Sequence, residues 1–134
     1  MATAKRMTYF KTQVDNRPGG LLSLARDLKE QNIDLIGMKG VSHADQGDVL
    51  VIPKNPEKLR IAWNAAGILL EEGTLFFVSG VNKTGALTGT LDAVAKAGVN
   101  IVATEAAAVS GRFGAFLWVT PDDVEKTAEV LGAT

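Results

Sequence analysis

Asp15-Asn16-Arg17-Pro18-Gly19-Gly20-Leu21-Leu22 joins a β-rich run to one with helical periodicity, and Val81-Asn82-Lys83-Thr84-Gly85-Ala86-Leu87 repeats the pattern at an offset of 66. The offset holds on both sides of the loop. It carries Phe10 onto Phe76, Leu28 onto Val94, and Ile33-Asp34-Leu35-Ile36-Gly37 onto Val99-Asn100-Ile101-Val102-Ala103 without a gap. Self-similarity kept in register over that length marks an internal repeat, which constrains the fold before any local reading does.

Outward from the loop, the two copies read alike. Residues 7–14 and 74–81 are first strands, with Phe10, Thr12 and Val14 alternating in one and Phe76 and Val78 in the other. Beyond the loop, Leu21, Ala25 and Leu28, and then Leu87, Leu91 and Val94, recur at helical spacing and predict the core-facing stripes of two helices. Residues 33–41 and 99–109 read as second strands, ending in turns at Asp45-Gln46-Gly47-Asp48 and Ser110-Gly111-Arg112. The compact apolar runs 49–52 and 115–119 predict central strands. Asn55-Pro56-Glu57 and Thr120-Pro121-Asp122-Asp123 each set a capping residue, a proline and acids where a helix starts.

Ile68-Leu69-Leu70-Glu71-Glu72 predicts a fourth strand for the first copy. The second copy stops at Leu131-Gly132-Ala133-Thr134, so its fourth strand is missing or very short. Only turn residues separate strands two and three, too few for the helical crossover that a parallel pair needs. The expected class is therefore α+β: a ferredoxin-like βαββαβ unit repeated twice, with antiparallel sheets and helices on one face, as domains 1–72 and 73–134.

Composition narrows the function classes. The apolar fraction of 46% and charged fraction of 22% suit a globular core. A net charge of -1 offers no field to gather phosphate backbones or anionic lipid, so neither nucleic acid nor membrane is an expected partner. The first residues lack the apolar centre of a secretory signal, and with no cysteine for disulfides the expected compartment is the cytoplasm.

The two loops, followed by Asn32-Ile33-Asp34-Leu35 and Val99-Asn100-Ile101, resemble the signature of the ACT domain family, in which a short polar stretch, glycine and an apolar residue open the first helix. The resemblance extends from about residue 7 to 131 as a tandem pair. It implies a regulatory protein that binds an amino acid or related metabolite at domain interfaces, pairs as a homodimer and acts on a partner enzyme or regulator. The implied ligand-binding residues are Asp15, Asn16, Arg17, Pro18, Gly19, Gly20 and Leu21, with Asn82, Lys83, Thr84, Gly85, Ala86 and Leu87 as the second set. Chemistry agrees with that assignment: glycines admit close backbone approach, Arg17 offers a forked donor to a carboxylate, Lys83 a point charge, and Asp15 an acceptor for an ammonium. Thr84 and Ala86 replace the proline and second glycine, so the loops are not expected to be equivalent.

Catalysis is not expected. His43 is the only histidine and sits in a predicted turn, no cysteine exists for a metal, and no cofactor is implied. Ser79-Gly80 and Ser110-Gly111 lack the framing of an activated serine, and no glycine pattern spells a nucleotide-phosphate cradle. Trp63 and Trp118 read as core or subunit-contact residues. The alternative function is a ligand-free interaction module, motivated by the missing strand: without it, the first strand of the second copy would present an open edge to a partner.

Overall fold

The computed structural model describes residues 2–134. In chain order the elements are β1 (Thr3–Asp15), α1 (Gly20–Glu30), β2 (Leu35–His43), β3 (Gln46–Pro53), α2 (Pro56–Ala66), β4 (Glu71–Val81), α3 (Thr88–Lys96), β5 (Ala103–Val109), β6 (Arg112–Trp118) and α4 (Val124–Leu131). They form two compact units, Thr8–Gly73 and residues 2–7 with Thr74–Thr134. Strand order is β2-β3-β1-β4 through the first unit and β1-β4-β6-β5 through the second, each a ferredoxin-like α+β arrangement. The repeat survives in the register, since Phe10 faces Val51 across β1 and β3 while Phe76 faces Leu117 across β4 and β6.

No strand follows α4. Its place beside β4 is taken by the start of β1, where Ala2 and Ala4 pack against the second core. The backbone N–H of Arg6 donates to the Thr134 carbonyl at 3.2 Å, and its guanidinium grips both carboxylate oxygens of Glu125 at 2.7 and 3.1 Å. The expected open edge is thereby corrected: β4 lies between β1 and β6, and the outer strands are β2 and β5.

The helix phases also differ from expectation. In α1 the buried residues are Gly20, Leu24 and Leu28, whereas Leu21 and Leu22 are 46% and 52% exposed. Gly20 sets this phase. A Cβ there would lie 2.3 Å from the Asp15 carbonyl oxygen, so the glycine must face inward and carries the adjacent leucines outward. In α3, Val94 is buried and Leu91 is not. The start of α2 is as read from sequence: Pro56 opens it and the Asn55 side chain accepts from the Lys58 N–H at 3.3 Å. At the corresponding place in the second unit, Pro121–Asp123 forms a 3-10 turn before α4 begins.

Each unit has its own core. Phe10, Leu28, Val51, Leu59 and Trp63 anchor the first; Phe76, Val94, Phe113, Leu117 and Ala128 anchor the second. A fully buried Leu or Phe contributes about 1.5–3 kcal/mol relative to exposure. Trp63 and Ala128 hold corresponding places, since the Trp63 carbonyl accepts from Ile68 N–H at 3.1 Å and the Ala128 carbonyl from Ala133 N–H at 2.9 Å. By strand alternation, the opposite sheet face of the first unit carries Lys11, Gln13 and Asp48. Gln13 bonds the Asp48 carboxylate at 2.8 Å, and with Lys11 and His43 nearby it holds that group below the usual carboxylate range. The second unit has Phe77, Ser79 and Gly114 there, with Phe77 and Phe116 ring centroids 4.9 Å apart.

Candidate functional sites at the two strand-to-helix loops

The first loop is held by its own backbone. Asn16 N–H donates to the Asp45 carbonyl at 2.9 Å, Arg17 N–H to Asp15 at 2.9 Å, and Gly20 N–H to Arg17 at 3.1 Å. Gly19 sits at φ 89°, a left-handed conformation that favours glycine, and starts α1. The Asn16 amide is used structurally, donating to the Ala44 carbonyl at 2.7 Å. Arg17 and Asp15 are brought together: Nε donates to the Asp15 carboxylate at 3.2 Å, both side chains being exposed. Thus the groups expected to meet a zwitterion's two charges meet each other. Asp15, Arg17 and Gly20 line a hollow of about 280 Å³ with Gln13, Ser23 and Asp27. Pro18, Gly19 and Leu21 lie outside it.

The second loop begins with the same brace, Asn82 N–H donating to the Gly111 carbonyl at 2.8 Å. Beyond that brace the loops differ in sequence, with Ala86 standing where Gly20 stands in the first unit. Residues 84–87 form a turn and α3 starts only at Thr88. Two cavities flank it. One, of about 340 Å³, is lined by Asn82, Lys83, Gly85, Ala86 and Leu87 against Ala106–Ala108 of β5; Thr84 does not line it. The other, of about 620 Å³, lies between α3, the end of α4 and the start of β1, and shares Lys83, Gly85, Ala86 and Phe113 with the first.

The larger cavity is the repeat counterpart of the first-unit hollow. At the offset of 66, Arg17 corresponds to Lys83, Gly20 to Ala86, Ser23 to Gly89 and Asp27 to Ala93, and all line their respective cavities. Sequence reading missed Ser23, Asp27, Gly89 and Ala93, although their spacing of three and seven residues from Gly20 and Ala86 puts them on the same helix face as the loop. A separate hollow of about 450 Å³ beside Asn32 and Lys58 stands apart from both loops, and the Lys58 ammonium there already donates to the Asn32 carbonyl at 2.9 Å. Among the described residues no group of three metal-capable side chains clusters, and no helix is long and apolar enough to cross a membrane.

No family model matches the chain, and no curated protein sequence does either. Solved structures do. Protein BT0572 from Bacteroides thetaiotaomicron superposes with a TM-score of 0.83 at 22% identity, over 96% of this chain and 88% of that one. The ligand-free regulatory subunit of aspartate kinase from Thermus thermophilus gives 0.63 at 17% identity, over 98% and 95%. The fold is of the ACT type. The same ACT-type arrangement matches Escherichia coli aspartokinase III in complex with aspartate and ADP, with a TM-score of 0.57 and 15% identity, over 97% of this chain and 32% of that enzyme. At these identities the shared property is the ACT-type fold.

Proposed function

We propose that this chain is a small regulatory protein of tandem ACT type that binds an amino acid or related metabolite at its loops, pairs as a homodimer, and transmits occupancy to a partner enzyme rather than catalysing a reaction. The observation that carries the reading is the joint one of fold and loop: nearly the whole chain matches a regulatory subunit of aspartate kinase, and both strand-to-helix loops border cavities. Arg17 and Asp15, paired at 3.2 Å, are the two charges a zwitterion would separate and engage. Exchange of that exposed pair for ligand charges costs little, because exposed ion pairs contribute at most about 1 kcal/mol. Ligand would act by favouring one conformational population over another, to the extent of its differential affinity.

A thermal-shift screen of the twenty amino acids tests this. At 100-fold excess over Kd, binding to the folded state adds about 2.7 kcal/mol, which is roughly 5–10 °C in Tm for a chain of this size. At least one amino acid is expected to give a dose-dependent rise that Arg17→Ala abolishes. A flat response to all twenty in the wild type overturns the reading.

A further inference from the structure

We propose that the 620 Å³ cavity of the second unit binds an aliphatic carboxylate that carries no ammonium group, with Lys83 as the partner of the anion. The inference rests on the sensor reading above and specifies ligand chemistry for one of its two units. Its basis is a position-by-position comparison of counterpart cavities. The first-unit hollow has two carboxylates, Asp15 and Asp27, beside the cation Arg17, and so offers complements to both charges of an amino acid. In the second unit the cation remains as Lys83, but the carboxylate positions are Val81 and Ala93, and Ser23 becomes Gly89.

An ammonium entering that cavity would leave water without a carboxylate to replace it, which selects against zwitterions. An anion has a partner. Among the described residues no carboxylate pairs with Lys83, whose flexible stem and three donors allow it to follow a carboxylate at the rim. The hydrocarbon of the ligand also has a complement, because Val81 and Val130, 62% and 40% exposed, edge the cavity with Leu131 and the Phe113 ring. Small residues at Ala86, Gly89 and Ala93 leave the space unfilled.

The test uses three probes with one carbon skeleton on the intact protein: 4-methylpentanoate, L-leucine with its added ammonium, and the uncharged 4-methylpentan-1-ol. Binding is read from the amide resonances of Gly89 and Ala93, so that occupancy of the first unit does not contribute. We expect 4-methylpentanoate to bind at least roughly 10-fold more tightly than either other probe, as a site rejects a group that it leaves unpaired. Lys83→Met should erase the preference for the acid over the alcohol, and Ala93→Asp, which restores the carboxylate of Asp27, should shift the order toward L-leucine. Three results would overturn the proposal: no binding of 4-methylpentanoate, equal or tighter binding of L-leucine by the wild type, or an acid preference that survives Lys83→Met. An amino-acid response lost in Arg17→Ala, with no carboxylate bound by the second unit, sinks this inference and leaves the sensor reading standing.

Discussion

In the first unit the hollow beside the loop is edged by Asp15, Arg17 and Asp27; in the second the same backbone positions carry Val81, Lys83 and Ala93. The core beneath differs in the same sense, with Trp63 filling one unit at the place where Ala128 stands in the other. The backbone is conserved between copies because hydrogen bonds oblige it to be: Asn16 to Asp45 and Asn82 to Gly111 are the same bond. Side chains that face a cavity are under no such obligation. A duplicated fold can thus keep its geometry while its two sites diverge in the chemistry they accept.

The largest expected contrast between the units lies in the cores. Trp63→Ala removes a buried indole and should cost about 3–5 kcal/mol, whereas Ala128→Gly should cost about 1 kcal/mol through helix propensity; urea melts of both variants measure the difference, and equal losses would mean that the cores are not organised as described. Next come the loops. Gly20→Ala drives a Cβ into the Asp15 carbonyl and should cost about 1–3 kcal/mol, while Ala86→Gly should change stability by less than about 1 kcal/mol. Similar values from thermal melts would mean that the Asp15 carbonyl does not hold position 20 to glycine.

The smallest effect is electrostatic. Glu72 is gripped by Arg60 at 2.6 to 3.1 Å, which holds its carboxyl below the ordinary value of 4.5. A carboxyl lowered on folding stabilises above its unfolded value, and that contribution is lost as pH falls through the lowered value. Glu72→Gln should therefore leave a shallower decline of Tm below pH 4.5 than the wild type shows. An unchanged acid limb would assign that decline to other carboxylates, such as Glu125 bound by Arg6 in the second unit.

Much of this was legible in the sequence because the repeat keeps one spacing from Phe10 through Val51. The offset of 66 gives the first three strands and the loop of each copy, marked by Gly19, while the start of α2 is written in its own residues, Asn55 and Pro56, whose counterparts Thr120 and Pro121 stand 65 positions on. The start of β1 was not legible. Ala2 and Ala4 alternate inward, but methyl groups are too small to mark a strand, and the segment is a strand because β4 stands beside it. Gly73 reads as a break between domains, yet β4 runs through it; the Tyr9 ring occupies the space where a side chain would be, within 2.7 Å of a built Cβ. The pairing of Arg17 with Asp15 and the inward turn of Gly20 also escaped, since both depend on how one turn of backbone closes.

The Arg6 contact to Thr134 has a consequence for how the molecule is assembled. The first unit is contiguous and can close as soon as its 66 residues are available, but the second joins positions 128 apart in the chain. Pairing at that separation is entropically slow, so residues 3–7 of β1 find their place after the contiguous unit has closed. Until then they are an unpaired edge. Lys5 and Arg6 lie in that stretch, and charged side chains on an unpaired strand disfavour the addition of other chains until Arg6 takes up its ion pair with Glu125.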